Sequence, residues 1–183
     1  MSVNPVINAV LEKEGNYVNH PNDSGGATRW GITEKTARDF GYSGDMKNFS
    51  REDAYTILEK NYWYLPGFNK IDKISPALAY ELCDTGTNMG PVVGIKWLQR
   101  WLNAYNNQGA YYPDIIVDGN IGPATLNALN AFLLKRGKEG EGVMLLSLNC
   151  SQGQHYLELA ESRVKNESFI YGWMKERVSL AAP

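Results

Sequence analysis

The chain reads as mainly α, and three observations lead there. Apolar residues recur every three or four positions in one segment after another. Those segments open on Asn, Ser, Thr or Pro, and several close on Gly, which are helix-start and helix-stop residues. Strand signals are weak, so at most a small β-hairpin is expected, near residues 16–33. About seven or eight helices follow from the periodicity.

The elements can be justified in order. Asn4 can cap a first helix, Pro5 suits its first position and Gly15 can end it, with Val6, Ile7, Val10, Leu11 and Glu14 on one stripe. Asn16 to Thr33 is rich in Gly, Asn, Asp, Pro and Ser, the composition of loop or irregular hairpin. Thr33 can cap a short helix that stops at Gly41. Ser50 with Asp53 makes a capping-box-like start, and Ala54, Ile57 and Leu58 give its helix an apolar face. Ser75 and Pro76 open a helix through Leu78 and Leu82. Pro91 opens the next, with Ile95, Leu98, Leu102 and Tyr105 facing inward. Asp118-Gly119 marks a turn after the short apolar run Ile115 to Val117. Pro123 launches a helix bearing Leu126, Leu129 and Leu133. Gly137 to Gly142 reads as a connector, followed by a long helix with Leu145, Leu148 and Leu159 on one side. The tail from Phe169 to Val178 is aromatic and then basic.

Composition narrows the function classes. With 43% hydrophobic and 21% charged residues, the chain has material for a globular core. A formal net charge of −2 gives no basic field for nucleic acid or an anionic membrane surface, so neither is an expected partner. Any polymeric partner must be gripped by a shaped cleft. Cys83 and Cys150 lie in apolar, helix-like stretches outside any CxxC pair and are expected to be two buried free thiols. His20 and His155 are too few and too scattered for a zinc site, so no metal and no cofactor is expected. Met1 to Leu11 lacks a positive n-region and a long apolar h-region, and no run is long enough to span a membrane. The expectation is a monomer made in a cytoplasm without stable membrane insertion.

Chemistry concentrates in residues 14–33. Glu14 falls on the apolar stripe of its helix, where leucine is the ordinary choice. Burial beside apolar groups disfavours a carboxylate, and the negative end of the helix dipole acts the same way. A carboxyl kept protonated near neutral pH can donate a proton to a leaving sugar oxygen. A salt-bridged structural glutamate is the plainer alternative. Asp23 follows across a Gly- and Asn-rich turn, and its small polar neighbours leave it ionised. Two carboxyls flanking a cleft are the minimal kit for glycoside hydrolysis, one as acid and one positioning water or stabilising the developing cation. Gly25, Gly26 and Gly31 permit close backbone approach to a sugar or simply serve turns. Tyr17 and Trp30 can stack on pyranose rings or fill the core. Thr28 and Thr33 can hold a water or cap a helix, with capping favoured for Thr33.

The segment resembles the signature of glycoside hydrolase family 108, roughly Glu-Gly-Gly-Tyr, a variable Pro-containing stretch, Asp, then Gly-Gly-x-Thr-x-x-Gly-Ile-Thr. Glu14, Gly15, Tyr17, Pro21, Asp23, Gly25, Gly26, Thr28, Gly31, Ile32 and Thr33 stand in register with it. The resemblance implies a lysozyme-like helical fold and N-acetylmuramidase activity of the phage endolysin kind, with Glu14 as the catalytic acid. The order Glu, Asp, Thr is also similar to the triad of small phage lysozymes, which brings in Asp23 and Thr28. Asn16 replaces the usual second glycine, and His20 stands where an acidic residue is common. His20 titrates near neutrality and so bears on pH dependence.

The second half resembles the peptidoglycan-binding segment usually fused to this family. The matching runs are Trp97 to Asn103 and Val117 to Leu126, then Gly172-Trp173 and Arg177-Val178. The implied organisation is a catalytic muramidase domain over residues 1–86 and a peptidoglycan-binding-type helical segment over 87–183, packed into one compact unit. The implied partner is the glycan strand of bacterial peptidoglycan. An endolysin also needs a holin functionally, without binding it. A lytic transglycosylase and a non-catalytic wall-binding module are the competing readings. Intact Glu14 and Asp23 argue against the module, and Asp23 favours hydrolysis.

Overall fold

The computed structural model describes residues 4–13, 17 and 27–178. Eight α-helices and one two-stranded antiparallel hairpin form among them, so the fold is mainly α. The chain divides by contact density into two compact units, Met1–Leu65 and Pro66–Pro183.

In the first unit, α1 spans Pro5–Lys13. Asn4 caps it as its sequence implies: its Oδ1 accepts from the backbone N–H of Val6 at 3.0 Å and of Ile7 at 3.3 Å. Ile7 and Leu11 are fully buried, and α1 packs on α3, Arg51–Glu59. A hydrogen-bond relay ties the start of α1 to α3. The Asn4 N–H donates to the Tyr55 hydroxyl at 2.8 Å, which donates to Glu59 at 2.9 Å. Strands β1, Thr28–Arg29, and β2, Ile32–Thr33, pair Thr28 with Thr33 and Arg29 with Ile32. Helix α2, Glu34–Asp39, follows, capped by Thr33. A short 3₁₀ turn at Met46–Asn48 leads to α3, capped by Ser50. One π-helical turn, Lys60–Tyr64, closes the unit and buries Trp63.

The second unit opens with α4, Phe68–Asp72, and α5, Pro76–Met89, which Ser75 caps and Pro76 begins. Helix α6 is Pro91–Tyr105, and α7 runs from Pro123 to Ser162. Helix α8, Glu167–Arg177, packs on α7. The core is aliphatic and aromatic: Phe68, Leu78, Leu82, Leu98, Leu102 and Leu129 are fully buried. Gly94 lets α6 approach α5, because a Cβ there would lie 3.1 Å from the Thr85 methyl.

Two details differ from expectation. The connector at Gly137 to Gly142 shrinks to Gly137 alone (φ 60°, ψ −148°), which kinks α7, and residues 138–142 are already helical. Glu141, just past the kink, is buried and accepts from the Ser75 hydroxyl at 2.6 Å, so the second arm of α7 is fastened to the cap of α5. Both cysteines are free, but only Cys83 is buried. Cys150 is exposed, on the wall of an open groove that Trp97, Arg100 and Trp101 of α6 also line.

Candidate active site

Residues 27–33 fold as they do because their turn demands positive φ. A two-residue loop joins β1 to β2, and both loop residues are left-handed: Trp30 at φ 55° and Gly31 at φ 74°. Such a primed turn matches the right-handed twist of hairpin strands. Glycine takes this geometry freely, whereas a tryptophan there is strained and must be held. The hold is visible. The Trp30 indole N–H donates to the Phe49 carbonyl at 3.2 Å, and the Arg29 guanidinium lies 5.8 Å from the ring centre.

Thr28 is half-buried on β1, opposite Thr33. The Thr33 hydroxyl accepts the Thr36 N–H at 3.2 Å and lies 2.9 Å from the Thr36 hydroxyl, so its oxygen is engaged in capping α2. Any sugar contact there would share that oxygen. Tyr17 is exposed, with the Lys47 ammonium 5.9 Å from its ring centre. Glu14, Asp23, Gly25, Gly26 and His20 lie outside the described residues.

The short segment Asp45–Phe49 therefore supports both aromatic candidates, Tyr17 through Lys47 and Trp30 through the Phe49 carbonyl. Sequence reasoning missed this segment. Its signal was Asp45, whose carboxylate accepts the Lys47 N–H at 2.8 Å and starts the 3₁₀ turn. Met46 and Phe49 bury themselves beneath it, and Tyr42 meets the Phe49 ring edge-on at 4.9 Å.

Among the described residues, the carboxyl pushed up in pKa is Glu81 on α5, to about 7. Burial is the main cause and the Asp84 charge the second, while a hydrogen bond with Asn149 opposes both. Its Oε1 is buried without a hydrogen-bond partner. No grouping of His, Cys, Asp and Glu suited to a metal occurs among the described residues, and none of their helices is long and apolar enough to cross a membrane.

The Asp118 to Thr125 motif is built around Gln99, which is buried on α6. The Gln99 side-chain amide donates to Asp118 at 2.8 Å, to the Asn120 carbonyl at 3.0 Å and to the Thr125 hydroxyl at 3.1 Å. Its carbonyl accepts the Gly119 N–H at 2.9 Å. The amide hydrogen bond from Gln99, with those from Asn120, holds the Asp118 carboxyl below its usual pKa. The polar atoms of this motif are thus largely spent inside the fold.

The chain is similar to known proteins on both sides of its midpoint. Residues 7–90 match the family model Glycosyl hydrolase 108, and residues 93–178 match the model Predicted Peptidoglycan domain. The structure of SagA from Brucella abortus resembles this one at a TM-score of 0.58 and 25% identity, over 94% of this chain and 87% of that one. No curated protein matches the chain. The arrangement suggested by the motifs is therefore the one found: a match to glycosyl hydrolase family 108 in the first half of the chain, joined to a match to a peptidoglycan domain in the second.

Proposed function

We propose that this glycoside hydrolase is a lysozyme, an N-acetylmuramidase that hydrolyses the β-1,4 bond between N-acetylmuramic acid and N-acetylglucosamine in peptidoglycan. Glu14 is its general acid. The observation that carries this reading is the burial of Ile7 and Leu11 on α1, an apolar spacing that the sequence extends to Glu14. A carboxyl continuing that stripe meets apolar surroundings, which favour its protonated form. Glu14 then protonates the leaving glycosidic oxygen as the C1–O bond breaks. Asp23, ionised, stabilises the developing oxocarbenium charge or draws the proton from an attacking water, and Thr28 helps to place that water. Tyr17 and Trp30 offer ring faces to the pyranoses, and Gly25 and Gly26 let the backbone approach the strand. The anchored start of α1 and the braced hairpin are the frame for this chemistry.

The biological setting we propose is that of a phage endolysin, made in a host cytoplasm and reaching the wall after a holin has permeabilised the membrane. Mass spectrometry of products from purified peptidoglycan tests the chemistry. Hydrolysis leaves a reducing muramic acid end, whereas 1,6-anhydro ends mean transglycosylation and overturn the reading.

A further inference from the structure

We propose that the second unit receives an N-acetylhexosamine strand in the groove between α6 and α7, on Trp97 and Trp101, and not on the Asp118–Thr125 loop. The inference rests on the peptidoglycan reading above for the choice of ligand. Trp97 and Trp101 are four residues apart on α6 and share one face. Both line a groove of about 310 Å³ whose other walls include Arg100, Gln154, His155 and Glu158. That size is at the low end of ligand pockets, which run from about 300 Å³ upward. A second hollow of about 160 Å³ adjoins it, sharing Trp97, Arg100 and Trp101 and reaching Ala104.

The rings are preset. The Trp101 indole N–H donates to the Ser151 hydroxyl at 2.9 Å, and its ring stacks on Tyr105 at 5.5 Å. Trp97 meets His155 edge-on at 5.9 Å. A fixed aromatic plane takes the C–H face of a sugar with little loss of side-chain freedom. The rim supplies the complementary polar groups. Gln154 donates to Glu158 at 3.1 Å, so an amide and a carboxylate stand together for hydroxyl and acetamido groups. Arg100 presents a planar fork for a lactyl or stem-peptide carboxylate. Mixed charge suits a polar glycan better than a polyphosphate. The Asp118–Thr125 loop lacks this character, since Gln99 absorbs its polar atoms.

The test uses the full chain carrying Glu14→Gln. The tetramer of β-1,4-linked N-acetylglucosamine is titrated while the indole N–H signals are followed by NMR, with Trp97→Phe and Trp101→Phe used for assignment. The signals of Trp97 and Trp101 are expected to shift saturably. In cosedimentation with peptidoglycan sacculi, Arg100→Ala with Gln154→Ala is expected to weaken retention about tenfold, or about 1.4 kcal/mol, and Asn120→Ala to leave it unchanged. A larger effect of Arg100→Ala on sacculi than on the neutral tetramer assigns Arg100 to the carboxylates. Silent Trp97 and Trp101 signals, or a loss with Asn120→Ala instead, overturn the groove. These readouts need no hydrolysis, so they stand or fall separately from the muramidase chemistry.

Discussion

On α5, the Glu81 carboxyl has an ordinary pKa of 4.5 and is raised to about 7 in the fold, by burial first and Asp84 second. Between those values the folded protein keeps a proton that the unfolded chain has released. Stability therefore falls as pH rises through this window and levels off above about 7. At about 1.4 kcal/mol per unit, the loss is of the order of 3 kcal/mol. Glu81→Gln should flatten the profile, and urea unfolding at pH 5 and pH 8 checks it. Gly119 illustrates a different constraint. Its φ is +80°, and a Cβ would fall 2.7 Å from Val92 Cγ1. Gly119→Ala should cost at least about 2 kcal/mol, combining strain with overpacking, and lower the thermal midpoint. The sequence marked Gly119 as a turn residue, but its contact with Val92, 27 positions earlier, required the structure.

Among elements, α1 matters most to the proposed catalysis, because the chain runs from its end directly to Glu14. At its near end the Asn4 cap is joined by the relay from Asn4 to Tyr55 to Glu59, and Arg51 of α3 donates to Asn8. Tyr55→Phe removes the acceptor for the buried Asn4 N–H, which should cost about 1–3 kcal/mol. Lytic activity should fall several-fold without loss of fold, as assays paired with circular dichroism would show. The loop 118–125 is held by its own centre. Gln99→Leu strips four hydrogen bonds at once and should destabilise by more than about 2 kcal/mol. Helix starts were legible because capping is local: Asn4, Thr33, Ser50 and Ser75 all cap as their spacing implies. Less was legible where the partner is distant. Asn103 pairs with both backbone groups of Ile115, at 2.8 and 2.9 Å, across twelve residues. The π turn at Lys60–Tyr64 and the kink confined to Gly137 are likewise not encoded in helical periodicity.

For the molecule as a whole, the motifs in each half pointed to one family pairing, and the comparisons found that pairing. The proposed chemistry rests on residue types, Glu14 and Asp23, because glycosidic cleavage needs a neutral acid beside an ionised one. The bracing of Trp30 by Phe49 was not legible in the sequence, since it joins residues 19 apart through a backbone carbonyl. Two acids now compete for the role of proton donor: Glu14 by its place in the sequence motif and Glu81 by its raised pKa. Clearance of a peptidoglycan suspension by wild type, Glu14→Gln and Glu81→Gln, each checked for folding, separates them. Our account expects Glu14→Gln to lose at least about a hundredfold in rate, with Glu81→Gln lysing within a few-fold of wild type. Clearance by Glu14→Gln at the wild-type rate, above all if Glu81→Gln is silent, would contradict it.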